Sequence, residues 1–201
     1  GMVAGPSEIC VLADGKTDLN QVITSMIGQA EHDVNSQCIL ITKDKKLVNK
    51  FNIEIKGRIQ KVQRKTVVLK SLKNNGLIVF AQTDKQIIEA INEVAPEHLE
   101  INVSNYKKYL NQIYNAGSIM IGKYSPMAVS DYNVGTNHVL PTLGSAKFSS
   151  GLNSSEFYKK ISHITLTKKG IEKLGESATH LAEYEDLDNH AQSIRSRMKG
   201  K

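Results

Sequence analysis

Short runs of aliphatic and β-branched residues alternate along the chain with segments of helical period. The strand-like runs are "EICVLA" at 8–13, "QCILIT" at 37–42, "GLIVFA" at 76–81 and "HLEINV" at 98–103. A helix is predicted over roughly 18–32, and a lysine-rich helical stretch lies between the second and third strands. Strands separated by helices predict right-handed βαβ units and a parallel sheet, with functional groups at the carboxyl ends of the strands.

The segment "TDKQIIEAINEVA" at 83–95 has a clear helical signature. Thr83 is a suitable N-cap for this helix. Ile87, Ile88 and Ile91 recur at the spacing of one helical face, which predicts that this face is buried.

The stretch "VAPEHL" at 94–99 places two titratable groups directly after a proline. Pro96 disfavours helical backbone at Ala95, so the helix ends there and the next strand begins with Glu97 and His98 at the edge of a sheet. A neighbouring carboxylate and imidazole can both transfer protons. A capping Glu and an exposed His would account for the same residues, and the local pattern leaves both interpretations open.

Regular periodicity stops after about residue 117, where the chain becomes rich in Gly, Ser, Asn and Pro. This composition predicts a long loop region. Loops longer than about 12 to 15 residues are uncommon in compact domains unless they serve a site. The segment carries Asp131, Asn137 and His138, which are either ordinary loop residues or members of such a site.

The tail resumes with a strand-like "SHITLT" at 162–167, followed by predicted helices over roughly 168–184 and 187–199. The predicted fold class is α/β, with a three-layer, Rossmann-like parallel sheet, helices on both faces and a small C-terminal helical tail. We place the α/β domain at 2–154 and the tail at 155–201.

Composition bounds the function that such a fold can have. The chain has 201 residues, of which 40% are hydrophobic, and this is enough for an ordinary buried core. The formal charge of +6 is spread along the chain without a basic tract or a nucleic-acid motif, so solvated helix faces explain it better than nucleic-acid binding. A basic surface also suits an anionic cofactor or substrate.

Cysteine usage and hydropathy indicate the compartment. Cys10 and Cys38 each lie inside an apolar run and form no CxxC pair, which is typical of buried reduced thiols in a cytosolic protein. We recognise no leader and no apolar run of bilayer-spanning length, so the sequence predicts a cytoplasmic protein that does not associate with a membrane.

Two further residues could bind a metal, although their spacing alone is weak evidence for it. Gln29 and His32 are three apart in a predicted helix and share a face, which could place two ligands on one ion. Gln is a rare zinc ligand, so this spacing by itself favours a surface or capping position. His190, near the start of the last helix, is by default a solvated side chain.

Taken together, the motifs resemble one family, the histidinol dehydrogenases, zinc enzymes that act in the last steps of histidine biosynthesis. The matching stretches are "AGPSEICVLAD", "QAEHDVNSQ", "VAPEHLEI", "AGSIMIGKYSPMAVSDYNVGTNHVLPT", "KFSSGL" and "EYEDLDNH". They stand in the family's order and at its spacing, and they cover nearly the whole chain.

The resemblance implies a role for each matching residue. The positions that match substrate-binding residues of the family are Ser7, Gln29, His32, His98, Asp131, His138, Glu185 and His190, and of these Gln29, His32, Asp131 and His190 match its zinc ligands. His98 resembles the base that takes the alcohol proton as hydride leaves for NAD. Glu97 resembles the group that activates water on the aldehyde, so that a second hydride transfer yields the carboxylate.

The resemblance also implies partners and leaves two hypotheses. In the family, the tail that carries the matches to Glu185 and His190 is swapped onto the partner subunit of a homodimer. This sequence matches only the second half of the family's chain, and most NAD contacts are expected in the other half, which a separate N-terminal chain could supply. One hypothesis is a truncated histidinol dehydrogenase that oxidises L-histidinol to L-histidine. The alternative is a non-catalytic zinc- or histidinol-binding remnant without the NAD domain.

Overall fold

The central feature of the fold is one parallel β-sheet. The computed structural model describes residues 5–198. Within them the strands are β1 (Glu8–Ala13), β2 (Gln37–Thr42), β3 (Gly76–Phe80), β4 (His98–Asn102) and β5 (Ser118–Ile121). Their order across the sheet is β3-β2-β1-β4-β5, and every neighbouring pair is parallel. The chain therefore adds β2 and β3 on one side of β1, and then adds β4 and β5 on its other side.

Eight α-helices connect and follow these strands in the described part of the chain. They are α1 (Leu19–Ala30), α2 (Lys45–Ile59), α3 (Lys65–Asn75), α4 (Asp84–Val94), α5 (Lys107–Leu110), α6 (Met127–Ser130), α7 (Lys168–Tyr184) and α8 (Asp188–Met198). The lysine-rich helical stretch predicted between β2 and β3 is thus two helices, α2 and α3. Among residues 5–198, every helix is too short or too polar to cross a bilayer.

Two apolar cores lie on opposite faces of the sheet. Alternate residues of a strand point to opposite faces, so Val11 packs with the helices α1 to α3, whereas Leu12 packs with α4 and α5. Both faces of the central strands are covered, which explains why β1 and β2 are apolar almost without interruption. The predicted three-layer, Rossmann-like α/β fold is confirmed.

The helix α4 shows how closely a local pattern can define an element. Thr83 and Gln86 form a capping box at its start, as the N-cap prediction requires. Ile87 and Ile91 are buried and Ile88 is partly buried, which confirms the predicted apolar face. The helix ends at Val94, before Pro96.

Two predictions of local structure are wrong. The segment after residue 117 is not wholly irregular, because its first residues form β5, a short edge strand that pairs with β4. The run "SHITLT" at 162–167 forms no strand, and its side chains are exposed. The described residues after Phe157 contain no other strand to which it could hydrogen-bond, and an unpaired alternating run gains nothing from strand conformation.

The chain divides into two compact units between Phe157 and Tyr158, whereas the boundary predicted from the sequence lies between residues 154 and 155. The second unit is a pair of packed helices, α7 and α8. A Cβ atom at Gly175 would lie only 2.4 Å from Sδ of Met198, so glycine permits the close approach of the two helices. The placement of this unit on a partner subunit stays a prediction.

Candidate active site

Glu97 and His98 lie where two neighbouring strands of the sheet begin. His98 is the first residue of β4, and it is paired in register with Ile9 of β1. The parallel-sheet pattern by itself predicts functional groups at the carboxyl ends of the strands, whereas this pair lies at the amino ends. The pair is also buried, with exposed fractions of 6% for Glu97 and 3% for His98. The alternative of a capping Glu and an exposed His is therefore wrong.

Glu8 and Glu97 hold each other in place through their main chains. The Glu8 N–H donates to Oε2 of Glu97 over 2.8 Å, and the Glu97 N–H donates to Oε2 of Glu8 over 3.2 Å. Oε1 of Glu8 also accepts from the Leu143 N–H over 2.8 Å. Burial raises the pKa of Glu8, although these N–H donors favour its carboxylate. The two hydrogen bonds between Glu8 and Glu97 fix both side chains, and the bond from Leu143 holds the segment around that residue beside them.

The hydrogen bond from His98 to Glu8 determines which imidazole nitrogen is basic. Nδ1 of His98 lies 3.1 Å from the main-chain carbonyl oxygen of Glu8. Since a carbonyl oxygen can only accept, Nδ1 carries a proton and the neutral ring has its lone pair on Nε2. Nε2 lies 3.5 Å from Oδ1 of Asp131 and has no hydrogen-bond partner in the part of the chain that the structure describes.

The charge of His98 is set by opposing effects. Burial disfavours the imidazolium, but the Glu97 carboxylate, 3.4 Å from Nδ1, and the Asp131 carboxylate, 3.5 Å from Nε2, favour it. The balance raises the pKa of His98 above its usual value. This base is therefore neutral only at a higher pH than a free histidine.

Gln29 stands out among the other predicted residues because its amide is buried without a partner. It lies in the last turn of α1 with no exposed surface, and neither its Oε1 nor its Nε2 forms a hydrogen bond within residues 5–198. An unpaired buried amide costs free energy, so such groups usually have a purpose. A neutral oxygen held in this way fits a metal or substrate ligand.

The remaining predicted residues of the first unit are more exposed. His32 follows α1 in an exposed turn, where its main-chain N–H donates to the Gln29 carbonyl oxygen. Asp131 is the C-cap of α6, and its side chain is 19% exposed. Ser7, just before β1, is partly buried, whereas His138 lies exposed in the polar segment.

Glu185 and His190 belong to the second unit. Glu185 is the C-cap of α7, and its N–H donates to the Leu181 carbonyl oxygen. His190 lies in the first turn of α8. Both residues are exposed in this chain.

The implied zinc ligands are divided between the two units. Within residues 5–198, no group of three or more His, Cys, Asp or Glu side chains is arranged to hold a metal ion. Gln29 does not count toward such a group, and its unpaired amide is the feature that fits a metal. The structure brings together Glu97, His98 and Asp131.

Sequence reasoning missed two acids, Glu8 and Glu100, which are 4% and 1% exposed. Each lies in an apolar strand run, at a position where a parallel sheet covered on both faces excludes water. Carboxylates are almost never fully buried unless they are paired. An acid inside such a run is the signal that could have identified them.

The fold and this cluster define an α/β protein of the Rossmann-like class with a buried acid–imidazole pair at the amino edge of its sheet. The histidinol dehydrogenase family model matches residues 1–198. A histidinol dehydrogenase from Pelagibacter ubique is 50% identical over 201 residues, which are 100% of this chain and 47% of the relative. One from Clostridium acetobutylicum is 43% identical over 98% of this chain and 46% of the relative.

A solved structure agrees with these relatives. The crystal structure of histidinol dehydrogenase from Elizabethkingia anophelis matches with a TM-score of 0.88 and 34% identity, over 98% of this chain and 46% of that one. The chain belongs to the histidinol dehydrogenase family. It spans about half the length of the curated relatives it matches.

Proposed function

We propose that this chain supplies the acid–base and metal-binding residues of a site that oxidises L-histidinol to L-histidine with NAD. The observation that carries the proposal is the buried pair of Glu97 and His98, in which Nε2 is the free basic nitrogen. Family membership supports histidinol as the substrate, and the geometry of the pair supports Glu97 and His98 as the groups that move protons.

Protons must leave from two sources in this reaction, the substrate hydroxyl and the water, and the pair has a base for each source. His98 accepts the substrate hydroxyl proton at Nε2, while its Nδ1 stays hydrogen-bonded to the Glu8 carbonyl oxygen. Glu97 takes a proton from the water that adds to the aldehyde. The Glu8 N–H that donates to Oε2 of Glu97 holds this carboxylate in place during both steps.

Zinc would be held by Gln29, His32 and Asp131 together with His190. The neutral oxygen of Gln29, the carboxylate of Asp131 and two imidazoles form a mixed O and N set that suits this ion. Zinc would orient the substrate and polarise its hydroxyl group. NAD would supply the hydride acceptor, and its binding residues are expected in the part of the relatives that this chain does not span.

Substrate contacts and assembly complete the proposal. Ser7, His138 and Glu185 would contact histidinol alongside the metal-binding residues. Glu185 and His190 would act across a homodimer, because a pair of helices too small for a core of its own gains stability by packing on a larger domain. Activity would also require the NAD-binding half of the relatives, which this match does not cover and which a separate N-terminal chain could supply.

A second function is binding without catalysis. The implied zinc ligands lie within the matched half of the relatives, and they could bind zinc or histidinol without any hydride transfer.

NADH formation separates the two functions. The chain, combined with the part of the Pelagibacter relative that it does not span, is expected to form NADH from histidinol, zinc and NAD. Two NADH per histidinol are expected, since each hydride carries two of the four electrons removed. The chain alone serves as the control. Zinc-dependent binding of histidinol without any NADH from the combined parts would support the non-catalytic function instead.

A further inference from the structure

Glu100 is a buried acid that the proposed chemistry does not use. It lies two residues after His98 in β4, so both side chains are on the same face of the sheet, the face that α1 covers. The residue is 1% exposed. Burial raises the pKa of Glu100, although its hydrogen-bond donors favour the carboxylate. A group this costly to bury must have compensating contacts.

Its contacts join three elements of the fold. Oε1 of Glu100 accepts from Oγ of Ser25 over 2.9 Å and from the Met127 N–H over 2.6 Å. Oε2 accepts from Nδ2 of Asn102 over 3.2 Å. A single carboxylate oxygen therefore connects strand β4 to helix α1 and to the first residue of helix α6.

Each connected element carries a residue of the proposed site. Ser25 lies four residues before Gln29 on α1, so the two share one face of the helix. The helix α6 has only four residues, too few for a helix to be stable by itself. Asp131, its C-cap, is therefore positioned by whatever anchors the start of that helix at Met127.

We infer that Glu100 is a positioning residue that fixes the places of Gln29 and Asp131 relative to His98. The inference rests on the proposed function, since it takes Gln29 and Asp131 as metal ligands. Mutation of a residue that hydrogen-bonds to a metal ligand typically lowers the metal affinity by about 10- to 100-fold. Glu100 does not contact the ligands themselves but hydrogen-bonds to the helices that carry them.

The test compares Glu100→Gln with Glu100→Met in the whole chain. The Gln oxygen can still accept from Ser25 and Met127, and a reoriented Asn102 amide can accept from the new NH₂ group. Met has a similar volume but removes the acceptor and leaves the Met127 N–H unpaired. Cobalt(II) is the probe, because its visible absorption spectrum reports the geometry of its ligands as well as the affinity.

We expect Glu100→Met to weaken cobalt binding by about 10-fold or more and to change the spectrum at saturating metal. Glu100→Gln should restore both, and Ser25→Ala, which removes one contact, should give a smaller loss. Ile101→Val is the matched control, since it loosens the adjacent buried position of β4 on the opposite face. It should leave the spectrum unchanged.

Two results would overturn the positioning role. One is a folded Glu100→Met variant that binds cobalt with the original affinity and spectrum, and the other is an equal change in Ile101→Val. Failure of the unchanged chain to bind cobalt at all is a distinct result. It would overturn the proposed metal site, and this inference with it.

Discussion

Replacing His98 with Gln is expected to lower the rate of histidinol oxidation by about 10²- to 10⁴-fold, the usual contribution of a positioned general base. Gln can donate from its amide toward the Glu8 carbonyl oxygen, but it cannot accept a proton at neutral pH. Zinc affinity should change little, because His98 is not among the proposed ligands. The measurement is the initial rate of NADH formation by the chain combined with the NAD-binding part of a relative.

Glu97→Gln is the matched variant for the second step. Its side-chain oxygen can still accept from the Glu8 N–H, so the pair keeps its geometry. Oxidation of the aldehyde should be slowed by Glu97→Gln, whereas oxidation of the alcohol should be slowed by His98→Gln. Equal losses in both variants with both substrates would contradict the division of roles.

The pH profile follows from the same histidine. Only the neutral imidazole can accept a proton, and the carboxylates of Glu97 and Asp131 raise the pKa of His98 against the effect of burial. The rate from histidinol should therefore rise with pH as the imidazolium of His98 loses its proton. This rise of the rate with pH should be absent from the residual activity of His98→Gln.

Replacing Gln29 with Met is expected to stabilise the metal-free chain while weakening its affinity for zinc. The wild-type amide is buried with neither atom paired, and removing an unpaired buried polar group recovers about 1–3 kcal/mol of unfolding free energy. Met fills a similar unbranched volume but has no oxygen to offer a metal. Urea unfolding after chelation measures the first effect, and zinc competition measures the second.

Gln21→Met is the matched control on the same helix. Gln21 is partly exposed, so this change should alter the unfolding free energy by no more than about 0.5 kcal/mol. Zinc affinity should stay the same in this variant. A Gln29→Met chain that is less stable without metal, or that binds zinc as tightly as before, would remove Gln29 from the proposed ligands.

Much of the fold could be predicted because local and tertiary preferences agree. In α4, the N-cap at Thr83, the apolar face at Ile87 and Ile91 and the stop before Pro96 all favour the same helix. The apolar runs of β1 and β2 likewise match a sheet that is covered on both faces. Consistency across levels of this kind makes a pattern reliable.

Other features depend on contacts between distant residues. The edge strand β5 has a weak local signal and is defined by its pairing with β4. The free nitrogen of His98 depends on the carbonyl oxygen of Glu8, which is 90 residues away in sequence. Motif resemblance could select Glu97 and His98, but only the packed structure indicates which nitrogen of His98 is basic.

Calorimetric titration of histidinol into the purified chain tests the central claim most directly. It should be carried out with zinc, after chelation, and with the His32→Ala variant. We predict binding that requires zinc and is lost in His32→Ala, because the metal would hold the substrate through ligands of this chain. Absence of binding with zinc present, or equal binding after chelation, would contradict the account.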